Sequence, residues 1–282
     1  MRCAGTAPAG HGLSRLTGRA RNVMQLLRGM IAIGAAAALL AVSGCTSSDN
    51  GSSGGSSTTN ATPTGIWSGT DLVTGLSVAG YIDSGGQADF VRADGAVFIG
   101  PTQVSGDTLV AAVVGYASFG NDFSDGSTYG LGTLNGTVTS ASTLTLALTF
   151  TTNGGTAQSG SWSLSFSSLS NSGSSLASVS ANYTDASGAT VSINGDGAMS
   201  GQNANNGCVL NGSISVSDAS YDVYAVSFTY EDCTGSYAVL NGVQFTGLAA
   251  FNGTRSPAQL SIVVSGASSA SKYALVLDLD VS

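Results

Sequence analysis

The stretch TLTLALTF at positions 143–150 is the clearest structural signal in this chain of 282 residues. Every even position from Leu144 to Phe150 is leucine or phenylalanine, and every odd position is threonine or alanine. Successive side chains of a β-strand point to opposite faces, so this period of two predicts a strand with one apolar face and one wet face. Strands of this kind are typical of antiparallel sheets that cover a core on one side.

The same alternation appears at positions 161–166, 224–230 and 273–281. No stretch beyond position 45 shows an apolar stripe with the 3.6-residue period of a helix. Residue pairs and triplets that favour tight turns separate the apolar segments. The predicted turns are Ser84-Gly85-Gly86, Asp94-Gly95, Asn135-Gly136, Asn153-Gly154-Gly155, Asp196-Gly197 and Asn252-Gly253. We predict an all-β protein with two tandem antiparallel modules of about eight strands each, either small barrels or sandwiches.

Two pairs of matching segments indicate that the β region is a tandem repeat. YIDSGGQADFVRADGA at 81–96 aligns without gaps with YTDASGATVSINGDGA at 183–198. Further along, GLGTLNGT at 130–137 aligns with GLAAFNGT at 247–254. Because the two matches occur in the same order, they favour a duplicated module over chance similarity.

The second copy is longer than the first between the two matches. The interval covers 34 positions in the first copy (130 − 96) and 49 in the second (247 − 198), a difference of 15. We predict module 1 at 65–168 and module 2 at 169–282. The insertion in module 2 encloses Cys208 and Cys233.

An apolar run near the N-terminus has the composition of an export signal. MIAIGAAAALLAV at 30–42 has thirteen residues, whereas a helix needs about 20 to cross a bilayer. A positively charged region precedes the run and the small residues Ser43 and Gly44 follow it. The charged region contains Arg15, Arg19, Arg21 and Arg28. We predict that residues 1–44 are a cleaved leader, with either Met1 or Met24 as the start of translation.

The end of this leader, Val42-Ser43-Gly44-Cys45, resembles the lipobox of bacterial lipoproteins. The resemblance implies that the chain is cleaved before Cys45 and that its thiol carries acyl chains such as palmitate. It also implies the outer membrane, because Thr46 stands where an aspartate would favour inner-membrane retention. Residues 45–64, rich in serine, glycine and threonine, are then a flexible lipidated tether. The alternatives are a secretory signal beside an unmodified cysteine and an uncleaved anchor.

Cys208 and Cys233 are the cysteines that remain for pairing once Cys45 is acylated. An exported chain reaches an oxidising compartment, where such pairs form disulfides. The spacing excludes a redox pair of the C-x-x-C type. We therefore predict a disulfide between them, with two free thiols or an intermolecular link as the alternatives.

The chain beyond the leader is strongly acidic. It contains three basic residues, Arg92, Arg255 and Lys272, and all sixteen acidic ones, which gives a net charge of 3 − 16 = −13. Such a surface repels phosphate backbones and anionic headgroups, so nucleic acid is excluded as a partner. The predicted membrane contact is through the acyl chains on Cys45.

The residues needed for common catalytic chemistry are scarce. The histidine of the sequence, His11, lies in the leader, and Glu231 is the one glutamate. Histidine-activated nucleophiles and His-ligated zinc are therefore unavailable beyond the leader. We predict no catalytic residue, no metal and no cofactor. The loop NDFSDGS at 121–127 is interpreted as an acidic hairpin tip, with a weak calcium loop as the alternative.

Gly65-Ile66-Trp67 resembles the G-x-W that begins lipocalin-like barrels, which implies that Trp67 plugs one end of a barrel. We predict a lipid-anchored, non-enzymatic binding or interaction module of the cell envelope, with an unknown protein or small ligand as partner. A structural or shielding surface protein is the alternative, and an envelope enzyme is a third reading. An aromatic-lined lumen or groove would favour binding, and the tyrosines considered for it are Tyr116, Tyr129, Tyr221 and Tyr224.

Overall fold

The computed structural model describes residues 60–140, 142–269 and 271–282. The predicted leader, Cys45 and most of the predicted tether lie outside these residues. The described chain is all-β and forms two closed antiparallel barrels of eight strands each, arranged in tandem. The predicted fold class is thus confirmed, and of the two architectures left open the barrel is the one found.

Barrel 1 is an up-and-down meander in which each strand pairs with its neighbours in sequence, and β1 closes the ring against β8. Its strands are β1 (Gly65–Asp71), β2 (Ser77–Ile82), β3 (Gln87–Arg92), β4 (Ala96–Ser105), β5 (Thr108–Ala117), β6 (Tyr129–Ser140), β7 (Thr143–Thr152) and β8 (Ala157–Phe166).

Barrel 2 has the same meander order and is closed by β16 against β9. A 3₁₀ turn (Ser168–Ser172) and a short helix α1 (Leu176–Val179) lead into it, and a second 3₁₀ turn (Gly235–Leu240) follows its fifth strand. Its strands are β9 (Asn182–Thr184), β10 (Thr190–Ile193), β11 (Ala198–Gln202), β12 (Val209–Val216), β13 (Val223–Glu231), β14 (Gln244–Asn252), β15 (Gln259–Ala267) and β16 (Lys272–Val281).

The alternating stretch at 143–150 lies in β7, and its pattern sets the two faces of the strand. The side chains of Leu144, Leu146, Leu148 and Phe150 point into barrel 1 and are at most 3% exposed. The intervening positions are exposed or half-buried on the outside. Burial of each large apolar side chain contributes roughly 1.5–3 kcal/mol, so the register of β7 is strongly specified.

Large aromatic side chains fill the interior of barrel 1. The ring centroid of Trp162 lies 5.4 Å from that of Phe90 and 5.4 Å from that of Phe98. Trp67 is fully buried in the same core, and its indole N–H donates to the Pro63 carbonyl at 2.7 Å. Aromatic contacts of this geometry add to the stabilisation from burial. Barrel 1 therefore has a packed lumen.

One predicted turn is wrong, because Asn135-Gly136 lies within β6. In the ladder between β6 and β7, Asn135 is paired with Ala147 and Gly136 with Leu146. A Cβ atom at Gly136 would lie only 1.8 Å from the Thr145 carbonyl oxygen. Glycine stands there because the backbone of β7 approaches closely.

The first sequence match is displaced by one strand position between the two barrels, whereas the second match falls on the same strand position in both. The first match covers β2–β4 in barrel 1 and β9–β11 in barrel 2, whereas the second falls on β6 and β14. One strand, β5, lies between the matches in barrel 1, and two strands, β12 and β13, lie between them in barrel 2. The longer interval of the second copy thus holds an additional strand. Since barrel 2 begins at the counterpart of β2, that strand brings its count to eight.

The barrels pack against each other through an apolar cluster that both contribute. Its members on barrel 1 are Ile66, Tyr81, Val91, Val97, Ile99 and Tyr116, and its members on barrel 2 are Val223, Leu248, Ala250, Val263 and Ala274. All of these side chains are buried. The cluster joins the outer faces of the two barrels, so those faces are not simply polar.

A buried carboxyl group, that of Asp89 in β3, lies in this interface. The backbone N–H of Leu248 donates to Asp89 Oδ2 at 2.7 Å, and Gln87 Nε2 donates to Asp89 Oδ1 at 2.7 Å. Gly247 makes room for the carboxyl, because a Cβ atom there would lie 2.7 Å from Asp89 Oδ2. Burial raises the pKa of Asp89 to about 7, against the lowering effect of these two hydrogen bonds.

Candidate functional site

The wall of barrel 2 has a seam where β16 meets β9. Among the described strand pairings, these two strands meet at only two residue pairs, Asp280–Thr184 and Val281–Tyr183. The strand β16 has ten residues, and nine of them are paired with β15 on the other side. Most of the β9-side edge of β16 therefore extends beyond the end of β9.

A pocket of about 470 Å³ lies at this seam, and we call it the β16 pocket. It touches both faces of β16. Leu275, Leu277 and Leu279 belong to the face that packs on the barrel 2 core, whereas Val276 and Asp278 belong to the opposite face, toward barrel 1. The pocket thus continues from the interior of barrel 2, around the edge of β16, into the cleft between the barrels.

The inner part of the β16 pocket is apolar. Besides the β16 leucines, its lining includes Val191, Leu210, Tyr230, Tyr237 and Leu240. Concave sites of about 300–1,000 Å³ with mainly apolar and aromatic walls are typical of small-molecule binding. Elsewhere in the barrel 2 core, the rings of Phe228 and Phe245 are stacked 5.5 Å apart, so the pocket occupies only part of the interior.

Barrel 1 supplies part of the pocket wall through Phe119, at the start of the loop between β5 and β6. Its backbone N–H donates to the Ala274 carbonyl, on β16, at 2.9 Å. Its ring centroid lies 5.3 Å from that of Tyr237 and 6.0 Å from that of Tyr273. Phe119 therefore contacts the edge of β16 that β9 leaves unpaired and covers part of the seam.

The disulfide Cys208–Cys233 holds the rim of the β16 pocket, and the predicted pairing is confirmed. Cys208 lines the pocket just before β12, and Cys233 precedes the 3₁₀ turn that carries Tyr237. Next to the bridge, the backbone N–H and the hydroxyl of Thr234 donate to the Asn206 carbonyl at 2.8 and 2.9 Å. The disulfide and these two hydrogen bonds thus hold the inserted segment of module 2 beside the pocket.

Three carboxylates, Asp94, Asp185 and Asp278, lie among the lining residues, and we call them the acidic rim. Asp278 is half-buried and accepts a hydrogen bond from Ser261 Oγ at 2.9 Å. Burial raises the pKa of Asp278 to about 6, although the Ser261 hydrogen bond acts in the lowering direction. The lining contains no lysine, arginine or histidine among the described residues.

The four tyrosines considered from the sequence lie away from this pocket. Tyr116 and Tyr129 belong to the interface cluster between the barrels. Tyr224 is fully buried in barrel 2, and Tyr221 is half-buried in the loop between β12 and β13. Among the described residues, none of the four lines the β16 pocket.

The aromatic residues that do line the pocket are Phe119, Tyr230 and Tyr237. Sequence reasoning missed them as site residues. The available signal was the longer interval of the second copy, which contains both tyrosines but does not indicate a pocket. Phe119 gave no local signal, because its contacts are with residues more than 100 positions away.

The acidic loop at 121–127 joins β5 to β6 and is fixed by its own hydrogen bonds. The Thr152 hydroxyl and the Ser127 backbone N–H donate to the Asp125 carboxylate. These bonds, led by that from Thr152, hold the pKa of Asp125 well below its usual range. Across residues 60–282, apart from the two positions not described, no three His, Cys, Asp or Glu side chains gather in a form that could hold a metal ion.

A second groove of about 430 Å³ lies between the barrels beside β3 and β14. Its lining mixes polar side chains, such as Gln87 and Thr246, with apolar ones, such as Ile99 and Leu248. Because it is more open to solvent and its lining contains no aromatic side chain among the described residues, it is a weaker candidate for a small-molecule site than the β16 pocket.

No protein-family model, curated protein or solved structure matches this chain. No helix in the described residues is long and apolar enough to cross a bilayer. The protein is therefore defined at the level of its class: two tandem closed β-barrels, of which the second carries a pocket along a seam in its wall.

Proposed function

We propose that the protein is a lipid-anchored, non-enzymatic binding protein of the cell envelope that holds a small apolar or amphipathic molecule in the β16 pocket. The anchor in this proposal is the acylated Cys45, which attaches the protein to the outer membrane. The tether after it lets the barrels move away from the lipid surface while remaining attached.

The single observation that carries the binding proposal is the β16 pocket itself. Its lining joins apolar side chains of the barrel 2 core to polar residues at the surface, along the part of β16 that β9 does not cover. Folded barrels of this size pack their interiors closely, and barrel 1 does so with tryptophan and phenylalanine. A volume of about 470 Å³ on the larger of the two repeats is consistent with a site kept for a ligand.

The two barrels take different parts in this proposal. Barrel 1 has a filled lumen and contributes Phe119 to the pocket wall, which is consistent with a supporting role. Barrel 2 supplies the apolar lining, and the disulfide fixes its rim. The filled lumen of barrel 1 favours the alternative of a purely structural protein, but that alternative gives no account of the β16 pocket.

Binding is tested with N-phenyl-1-naphthylamine, a neutral apolar probe that becomes fluorescent when it leaves water. The protein is the full mature chain from position 45, exported behind a non-lipoprotein signal with Cys45→Ser so that no acyl chain competes for the probe. We expect saturable binding of one probe per chain. We expect Leu277→Trp to weaken it by about tenfold or more, a loss of about 1.4 kcal/mol, because the larger side chain fills the pocket.

The matched control is Leu131→Trp, the same change at a side chain 63% exposed on the outside of barrel 1. It should leave the affinity for the probe unchanged. Absence of saturable binding, or equal loss in both variants, would overturn the proposed function.

A further inference from the structure

The charges around the β16 pocket restrict the chemistry of its ligand. The described residues contain fifteen acidic side chains and three basic ones, Arg92, Arg255 and Lys272. Of these eighteen, the lining of the pocket includes three acidic side chains, the acidic rim, and no basic one. The three carboxylates come from three elements around the pocket: Asp94 from the turn between β3 and β4, Asp185 from the turn after β9, and Asp278 from the face of β16 opposite the leucines.

Asp94 of the acidic rim forms an ion pair with Arg92, but the cluster of Asp94, Arg92 and Asp71 keeps a net negative charge. Arg92 Nη2 lies 2.8 Å from Asp94 Oδ2, and Arg92 Nη1 lies 3.3 Å from Asp71 Oδ2. Asp71 is fully buried, and the backbone N–H of Val73 also donates to it, at 3.0 Å. One guanidinium thus serves two carboxylates, which leaves a net charge of −1 at this side of the pocket.

The other two carboxylates of the acidic rim have no cation as hydrogen-bond partner in the described chain. Asp185 accepts hydrogen bonds from the backbone N–H groups of Ser187 and Ala189, both at 2.8 Å. Asp278 accepts one from Ser261 Oγ at 2.9 Å. Such bonds orient a carboxylate without neutralising it.

The remaining basic side chains are engaged at other places. Arg255 Nη1 lies 3.9 Å from Asp280 Oδ1, on the same strand as Asp278 but outside the pocket lining. Lys272 Nζ lies 5.5 Å from the ring centroid of Tyr129. Neither side chain lines the pocket, although the charge of Arg255 acts on Asp278 from outside it, so a bound anion would meet three lining carboxylates and, in the described chain, no lining cation.

We propose that the ligand of the β16 pocket is a single-chain amphiphile with a cationic head group, such as an ammonium. This rests on the proposed function and specifies its ligand class. The alkyl chain lies against Leu275, Leu277 and Leu279, and the ammonium lies at the acidic rim. Fatty acids and other lipophilic anions are rejected, since a single-sign carboxylate rim is repulsive toward them.

The proposal is tested by competition against N-phenyl-1-naphthylamine on the full mature chain with Cys45→Ser. Three amphiphiles with the same twelve-carbon chain are compared below their micelle concentrations: dodecyltrimethylammonium, n-dodecanol and dodecanoate. We expect dodecyltrimethylammonium to bind about tenfold more tightly than n-dodecanol at low ionic strength, the scale expected for opposite charges near a protein surface. Dodecanoate should bind most weakly, and added salt should narrow the differences.

The variant Asp278→Asn removes one carboxylate of the acidic rim and keeps the shape of the side chain. It should lower the affinity for dodecyltrimethylammonium by a larger factor than the affinity for n-dodecanol, and so reduce the preference for the cation. The matched control is Asp107→Asn, which removes an exposed carboxylate from the β4–β5 turn, outside the pocket lining. This control should leave the preference as it is in the parent chain.

The outcomes separate the two proposals. If the neutral probe and all three amphiphiles fail to bind, the proposed function is wrong. If the neutral probe binds but dodecanoate equals or exceeds dodecyltrimethylammonium, the ligand class is wrong and the binding function stands. An equal loss of preference in Asp278→Asn and Asp107→Asn would also contradict the role assigned to the acidic rim.

Discussion

Two buried aspartates, Asp89 and Asp222, have raised pKa values, and Asp89 lies in the interface between the barrels. Asp89 is fully buried in the interface and bonded to the backbone of β14. Asp222, 2% exposed, precedes β13, and burial raises its pKa to about 7 as well. These groups retain a proton in the folded protein at pH values where an exposed aspartate has lost it.

The raised pKa of Asp89 predicts that stability falls as the pH rises through the acidic range. Below about pH 4 the group is protonated in both states, and above about pH 7 it is ionised in both. Between these limits the folded state holds a proton that the unfolded state has released, so its contribution to the free energy of unfolding declines by up to about 1.4 kcal/mol per pH unit. Urea unfolding between pH 4.5 and 7 measures this slope.

Asp89→Asn should flatten that slope by about one proton, because an amide cannot titrate while its oxygen can still accept from Leu248. Some slope should remain from Asp222 and Asp278, whose pKa values are raised in the same direction. Asp107→Asn, in an exposed turn, is the control and should leave the slope unaltered. A slope equal to that of the parent chain in Asp89→Asn would show that Asp89 does not hold the proton.

The seam in barrel 2 follows from the shortness of one element, β9. The Asp185 carboxylate accepts from the backbone N–H groups of Ser187 and Ala189, so the chain turns back directly after Thr184. A side-chain turn of this kind competes with continued strand pairing. The edge of β16 that β9 does not reach is covered in part by Phe119 from barrel 1.

The disulfide is expected to stabilise both the fold and the pocket rim. It closes a loop with a sequence separation of 25, for which chain entropy gives about 3 to 4 kcal/mol. Cys208→Ser with Cys233→Ser should lower the free energy of unfolding by about that amount, measured in urea, and should weaken binding of the neutral probe. A reductant should lower the free energy of unfolding of the parent chain and leave that of the double variant unchanged. An unchanged free energy of unfolding in the reduced parent chain would contradict this.

Sequence patterns predicted the long strands and failed for local exceptions. Strict alternation identified β7, where burial of one face decides the register. It also identified β16, although both faces of that strand are partly buried because its outer face packs toward barrel 1. Barrel closure could not be predicted, because the same period of two occurs in sandwiches. Asn135-Gly136 has the composition of a turn but lies in β6. Glycine occurs there because the backbone of β7 leaves no room for a Cβ atom.

At the scale of the molecule, the site depends on contacts that no local pattern shows. The insertion in the second copy indicated where the repeats differ, and the cysteine pair followed from counting. The pocket lies where β9 ends short of β16, and Phe119 of barrel 1 completes part of its wall through contacts with Tyr237 and Tyr273 of barrel 2. Those contacts are set by how the barrels pack. The lipobox resemblance concerns residues outside the described range and stays a prediction.

Anchoring at Cys45 predicts a specific chemical state of the native N-terminus. Mass spectrometry of the protein extracted from its own membranes should find a chain that begins at Cys45 and carries acyl chains. Thr46→Ala should keep this modification, whereas Cys45→Ala should leave an unprocessed precursor with its leader attached. A bare thiol at position 45 in the native protein would contradict lipid anchoring and leave the barrels as described.

The most direct measurement of the central claim is where the neutral probe binds on the full mature chain. Methyl NMR spectra recorded during titration with N-phenyl-1-naphthylamine should show the largest shift changes at Leu275, Leu277 and Leu279, with little change at Leu131 on the outside of barrel 1. Shift changes spread evenly over both barrels, or centred on Leu131, would contradict a binding site in the β16 pocket.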